Sequence, residues 1–256
     1  FSLILDWNVT SRSFLEDSNS AAHQALHWLA FEDEHDHGNP ETIRARYALA
    51  TLFYSNKASW RSDKNWMSSY PVCLWHGITC LDTDETIGLV KAINLTSNGL
   101  MGTIPSEIAL LQRDLSLLDL SFNAIQGSIP DLSPLRNMKQ LYLSSNDLSG
   151  SIPSSMYSLT HLTHVYLEDC KLSGSITSKL GQLSNLLGFD VHNNIISGSI
   201  PPSIGKLTDV RALYMDTNAL TGTIPSNIGS LTRLVDLRLH GNHLKGPMPQ
   251  AISNLR

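Results

Sequence analysis

The sequence predicts an α/β solenoid with a helical, disulfide-bonded N-terminal cap, and three observations carry that prediction. The skeleton LxxLxxLxLxxNxLxGxIP recurs along the chain, with its Asn position at Asn98, Asn123, Asn146, Cys170, Asn194, Asn218 and Asn242, in steps of 25, 23, 24, 24, 24 and 24 residues. Gly follows four residues after that position in every copy, from Gly102 and Gly127 to Gly246. Ahead of the repeats lies a short aromatic stretch with Trp60, Trp66, Trp75 and the pair Cys73 and Cys80. A solenoid end exposes a cross-section of core leucines, so such a stretch is expected to cover it.

In chain order, residues 1–20 read as an irregular lead-in that ends in Ser18, Asn19 and Ser20, a cluster suited to a helix N-cap. From Ala21 to Phe31 the spacing of Ala22, Ala25, Leu26, Trp28 and Leu29 is helical. The acidic-histidine run Glu32–His37 and Gly38 break that helix, and the run is expected to be a solvated helix end, with His35 and His37 given no ligand role. A second helix starts with Asn39 as cap, Pro40 in the first turn and Glu41 near the positive helix end. Its second half is apolar nearly all round and is expected to lie against the first coil; Ser55, Asn56 and Lys57 stop it. The whole cap is placed at residues 21–86. Within it, CLWHGITC lets one Cys73–Cys80 disulfide close a small loop while Trp75 packs inward. Closing a loop of that size is worth roughly 2–3 kcal/mol on the disputed chain-entropy account.

The solenoid is placed at residues 87–256, as seven repeats and a truncated eighth. A fixed period near 24, with Leu at these offsets and Asn or Cys at the ladder position, is the leucine-rich-repeat signature. The LxL segment of each repeat reads as a short strand with leucines inward and the intervening residues on the concave side. The ladder Asn can satisfy backbone groups in the turn that follows. Cys170 is expected to fill one ladder slot as a small buried thiol. Ile-Pro closes five of the repeats, with Thr177 and Met248 as departures.

The net charge of −5 and the lack of any Lys/Arg run speak against nucleic acid as a partner. No apolar run approaches the roughly 20 residues that span a bilayer. The chain starts at Phe1 without Met and stops at Arg256 inside a repeat, so neither end reads as a natural terminus, and a leader upstream or an anchor downstream is left open. Two sequons, at Asn8 and Asn94, together with the close Cys pair, fit an oxidising secretory route and an extracellular or cell-surface location.

The LxGxIPxxIGxL half-repeat resembles the plant-type class of leucine-rich repeats found in receptor-kinase ectodomains and polygalacturonase-inhibitor proteins. CLWHGITC is similar to the N-terminal Cys-x-Trp-x-Gly-x-x-Cys cap of that class. The upstream combination QALHWLAFED, RYALATLFYSN and W…NWM resembles the leucine-rich-repeat proteins of diatoms and related algae. These resemblances span Ala21 to Arg256. They imply a right-handed superhelix, extracellular display, and binding of peptides, glycans or proteins on the concave or lateral face. No kinase domain is present in the sequence, so signalling is not carried over.

Registering the repeats turns the concave face into columns about 4.8 Å apart between rows. Four residues before the ladder position the column reads Asn94, Asp119, Tyr142, Tyr166, Asp190, Tyr214 and Arg238. Two before it stand Thr96, Ser121, Ser144, Glu168, His192, Asp216 and His240; six before it, Ala92, Leu117, Gln140, His164, Gly188, Ala212 and Asp236. The candidate ligand-binding residues are therefore Tyr142, His164, Tyr166, Glu168, Asp190, His192, Tyr214, Asp216, Arg238 and His240. Tyrosines offer wide contact area with a polar tip, as binding surfaces prefer. The same residue types also suit a plain solvated sheet, with His–Asp pairs across strands. The Glu168-His192-Asp216-His240 file holds ligand-type side chains, or a pH-sensitive patch. A gently curved sheet does not converge four of them on one point, so no metal or other cofactor is assigned. No nucleophile elbow, phosphate loop or HExxH occurs, which disfavours an enzyme. Two functions remain: a non-enzymatic recognition module, and a structural glycoprotein whose copies dock head-to-tail into a fibre, matrix or surface coat. A glycan on Asn94 would close off the first end of the concave face and push ligands toward repeats three to seven.

Overall fold

The computed structural model describes residues 4, 6–7, 9–35, 39–56, 60–81 and 89–255. The Asn8 sequon, His37 and the expected cap–solenoid boundary at 86/87 lie outside the described residues.

Helix α1 (Arg12–Glu16) occupies part of the segment expected to be an irregular lead-in. Burial explains it: Leu15 is sequestered, and buried Thr10 donates to the Glu107 carboxylate of the first repeat at 2.6 Å. Helix α2 (Ala21–Phe31) starts where Ser20 Oγ accepts from the His23 amide at 3.0 Å. Helix α3 (Pro40–Ser55) starts where Asn39 Oδ1 accepts from the Glu41 amide at 2.8 Å, with Pro40 in its first turn. These caps satisfy amide donors that have no intrahelical partner. The second half of α3 is buried from Ala45 to Leu52, against α2 and the first-repeat turn Ser106–Leu111.

One expectation for the cap needs correction. The side chain of Asp33, from the acidic run expected to be solvated, is fully buried in a two-pronged ion pair with the fully buried side chain of Arg46 of α3, at 2.5 Å on each prong. The guanidinium also donates to the Ser68 and Tyr70 carbonyls, and it lies 5.1 Å from the ring centres of both Trp28 and Trp75. Removing a guanidinium from water is tolerable when it is paired, donates most of its protons and lies on aromatic faces, and here four of its five N–H groups donate. The Cys73–Cys80 disulfide closes the loop that carries Trp75, whose ring is buried.

Among the described residues the main sheet has eight strands: β1 (Ile78–Cys80), β2 (Val90–Asn94), β4 (Leu117–Asp119), β6 (Gln140–Tyr142), β8 (His164–Tyr166), β10 (Gly188–Asp190), β12 (Ala212–Tyr214) and β14 (Asp236–Arg238). β1 runs antiparallel to β2 and closes the sheet from the cap; all later pairs are parallel. On the flank, β3 (Met101–Gly102), β5 (Ala124–Ser128), β7 (Asp147–Ser151) and β9 (Lys171–Ser173) form a second sheet. β11 (Ser197–Ser199) and β13 (Ala219–Thr221) continue that flank, joined to it by a bridge from Ser175 to Ser197. Short 3₁₀ turns at 154–158, 178–182, 202–206, 226–230 and 250–254 complete the coils. This is the leucine-rich-repeat solenoid.

Side chains of the ladder hold consecutive coils together. Asn194 Nδ2 donates to the carbonyls of Leu167, Val191 and His192 at 2.9–3.2 Å, and its Oδ1 accepts from the Leu172 amide at 2.8 Å. Asn123, Asn146, Asn218 and Asn242 repeat that pattern. Cys170 reaches the Leu143 carbonyl only at 3.6 Å, and burial pushes its thiol pKa up, as suits a small filler rather than a nucleophile. At Gly102 an added Cβ would fall 1.8 Å from the Ser55 carbonyl oxygen, so this Gly lets the end of α3 press on the first repeat.

Candidate functional site

Two of the three concave columns read from the sequence are reproduced by strand register. Asn94, Asp119, Tyr142, Tyr166, Asp190, Tyr214 and Arg238 are successive partners, and so are Ala92, Leu117, Gln140, His164, Gly188, Ala212 and Asp236. The outer column stays in step through amide-to-carbonyl bonds such as Ser145 to Glu168, Asp169 to His192 and Asn193 to Asp216. The residue after each outer-column position takes a left-handed conformation, from Ser97 through Phe122, Ser145, Asp169, Asn193 and Thr217 to Gly241. That column was not read from the sequence. Asn, Asp and Gly suit it, but Phe122 and Thr217 give no sign of a left-handed backbone.

The candidate residues gather into two aromatic groups with a polar floor between them. In the first group the Tyr142 and Tyr166 rings are 5.2 Å apart, and the His164 ring meets Tyr166 edge-on at 5.9 Å. Gly188 makes room for it: a Cβ there would fall 2.8 Å from the Tyr166 hydroxyl and 3.0 Å from its ring. Sequence reasoning placed Gly188 in its column without seeing this role, because only the neighbouring ring reveals it. Burial lowers the His164 pKa, so this imidazole is neutral near pH 7. Burial, then neighbouring Tyr166 and Asp119 for Tyr142, and Asp190 and Glu168 for Tyr166, raise both phenol pKa values. Both hydroxyls therefore keep their protons.

In the second group Tyr214 donates to Asp236 Oδ2 at 2.9 Å, and the Arg238 guanidinium lies 4.2 Å from the Tyr214 ring centre while pairing with Asp236 at 2.8 Å. The Arg238 hydrogen bond, then the Tyr214 one, hold the Asp236 pKa down. Asp236 orients both partners, although the sequence had not marked it as a site residue.

Between these groups Asp190 and Asp216 are buried and Glu168 is half-buried. The file expected along the outer column is drawn into two pairs. His192 Nδ1 turns to Asp190 of its own strand at 2.8 Å, and His240 Nε2 reaches back to Asp216 at 3.3 Å. Burial raises the Glu168 and Asp190 pKa values. For His192 burial acts downward, but the hydrogen bond and charge of Asp190, aided by Asp169 and Asp216, raise the pKa on balance. Among the described residues, no three His, Cys, Asp or Glu side chains are grouped so as to hold a metal ion. Asn94 is exposed on β2; its side chain accepts from the Thr96 amide at 3.2 Å.

Comparison with known proteins places this geometry in a family. Residues 137–159, 185–207 and 233–255 match the Leucine Rich Repeat family. The Arabidopsis thaliana LRR receptor-like serine/threonine-protein kinase GSO2 is 36% identical over 144 residues, covering 54% of this chain and 11% of that protein. The chain thus spans about a tenth of that curated relative's length. The Arabidopsis receptor kinase HAESA, solved with the peptide hormone IDA and the co-receptor SERK1, matches with a TM-score of 0.74 and 32% identity, over 82% of this chain and 35% of that one. A chain from the BIR3–SERK2 complex of Arabidopsis thaliana matches with a TM-score of 0.53 and 30% identity, over 78% of this chain and 94% of that one.

Proposed function

The chain belongs to the plant-type leucine-rich-repeat proteins, and on that footing we propose that it is an extracellular, non-catalytic recognition module whose concave face binds a peptide or protein. One observation carries the reading. The concave columns hold mainly short polar and aliphatic side chains in the first two repeats, then aromatic and ionisable ones from Tyr142 to His240, packed against one another at set distances. Rings fixed by neighbours lose little freedom on binding, and the protonated hydroxyls of Tyr142 and Tyr166 remain available as donors. The HAESA structure, solved with a peptide hormone, supports a peptide as the occupant. Tyr142, Tyr166 and Tyr214 are assigned the main contacts.

Display outside the cell is supported by the receptor relatives and by the disulfide. The exposed Asn94 sequon supports a glycan that would cover the first rows. The two helices ahead of the disulfide loop support a cap of the diatom and algal kind at residues 21–86, before a solenoid from residue 87.

The test is binding by a variant with Tyr142, Tyr166 and Tyr214 all changed to Ala. These are partly exposed side chains, so the fold is expected to survive, and circular dichroism checks that. Affinity for a selected peptide or protein ligand should fall at least about a hundred-fold, since buried aromatic anchors each contribute on the order of 2 kcal/mol or more. Unchanged affinity in a folded variant would remove the concave face from consideration.

A further inference from the structure

The period of the solenoid breaks twice, in adjacent coils beside the cap. Between buried Leu111 and Leu115 stand three residues, Gln112, Arg113 and Asp114, where later coils have two, such as Thr160 and His161 between Leu159 and Leu162. In the next coil only Asp131 stands between Pro130 and buried Leu132, where later coils again have two. Residues 131–136 form turns in place of the 3₁₀ helix of those later coils. One coil therefore bulges outward where its neighbour falls short. A cleft of about 520 Å³ lies there, lined by Glu41 and Arg44 of α3, Arg113 of the bulge, and Ser133, Pro134 and Arg136 of the short coil. A second cavity of about 360 Å³ shares Arg44 and Pro134 with it and adds the apolar walls of Trp7, Val9 and Leu110.

The residues that line the first cleft include three cations and one anion, in a chain whose net charge is −5. The three cations are not equally engaged. Arg44 donates to Glu41 at 3.0 Å and its guanidinium lies 5.5 Å from the Trp7 ring centre, so it forms a fixed back wall. Arg113 is 66% exposed and 3.9 Å from Asp114. Among the described residues the Arg136 guanidinium pairs with no carboxylate. Asn137 donates to the Arg113 carbonyl at 2.5 Å, which holds the two coils and their cations side by side.

We propose that this cleft is a second recognition site, separate from the concave face, for an acidic segment of a protein partner. Two neighbouring Asp or Glu carboxylates of that segment take the guanidinium groups of Arg113 and Arg136, and an adjoining apolar side chain enters the cavity beside Trp7, Val9 and Leu110. A guanidinium presents its donors in a planar fork that matches a carboxylate, and it keeps its charge at any physiological pH. Three arginines interrupted by Glu41 suit a short acidic stretch and not the long regular polyanion of a nucleic acid. Exposed charge pairs are screened by salt, so binding here weakens as ionic strength rises.

Fluorescence anisotropy with the full chain at pH 7.5 tests this. The probes are labelled peptides that each carry an Asp or Glu pair beside Leu or Phe, and counterparts with Asn or Gln in place of the acids. The acidic peptides should bind, and their amide counterparts should bind about ten-fold or more weakly, as loss of charge-assisted hydrogen bonds does. The Arg113→Gln, Arg136→Gln double variant changes two exposed side chains and should keep its fold by circular dichroism. It should bind acidic peptides as weakly as the wild type binds the amide forms. The Tyr-to-Ala triple variant should bind the acidic peptides as the wild type does, which separates this site from the concave one. Amide peptides that bind as tightly as their acidic parents overturn the proposal, as does a double variant that keeps the preference or a panel with no acidic binder. Binding lost in the triple variant but kept in the double variant moves those peptides to the concave face, which overturns the second site and leaves concave recognition standing.

Discussion

The cap and the repeats solve one problem, burying polar groups among leucines and tryptophans, in opposite ways. The repeats spread it over a ladder in which each Asn makes the same few bonds, so each coil carries a small and similar share. The cap concentrates it in one place, where the side chains of Arg46 and Asp33 are both fully buried and two carbonyls and two indoles depend on the same guanidinium. Redundancy makes the ladder tolerant of a poor member such as Cys170. Among the described residues the cap holds no second fully buried ion pair to fall back on.

The largest effect expected from that contrast is in the cap. Arg46→Met takes the cation away from the buried Asp33 carboxylate, which keeps the His35 amide as a donor at 3.1 Å, and should cost about 3–5 kcal/mol in urea unfolding, whereas Arg46→Met combined with Asp33→Leu should recover most of it. Next comes the ladder: Asn194→Ala strips an acceptor from the Leu172 amide and donors from three carbonyls, and should cost about 2–3 kcal/mol in the same measurement. Smaller still, and of opposite sign, Cys170→Asn restores the missing ladder bonds and should stabilise by about 1 kcal/mol. Phe122→Asn should also stabilise by about 1 kcal/mol. Phe122 is 62% exposed with φ +57°, a conformation that Asn adopts more readily than Phe.

The same contrast explains what could be read from the sequence. Period fixes register, so every concave column followed from aligning seven copies, and the helix caps at Ser20 and Asn39 followed from local chemistry. The Arg46–Asp33 pair joins residues 13 apart that no template aligns, and the acidic run around Asp33 has the composition of a solvated turn. Glu107 was invisible for the same reason, since its partner Thr10 lies 97 residues away. Within the site, residue types were legible but pairings were not. The sequence cannot tell that His192 turns to its own strand's Asp190, or that Gly188 lies under a tyrosine ring.

The smallest effect concerns pH. The His192 pKa is raised in the fold, so the pair with Asp190 stabilises below the ordinary imidazole pKa near 6.5 and loses that contribution as pH rises through the raised value. Burial raises the Glu168 and Asp190 pKa values, so their ionisation opposes the fold once pH climbs above the ordinary carboxylate range. All three act in one direction. The melting temperature of His192→Gln should fall below that of the wild type at pH 5.5, by a degree or two at roughly the size expected for a partly exposed pair, and the gap should narrow by pH 8.5.

Hydrogen exchange with and without a saturating peptide ligand tests concave-face recognition most directly. The account predicts slower exchange on binding confined to the strands and following turns of repeats three to seven, around residues 140–146, 164–170, 188–194, 212–218 and 236–242. Protection confined instead to the cap helices or to the 3₁₀ turns on the opposite side, with those strands unchanged, would contradict it.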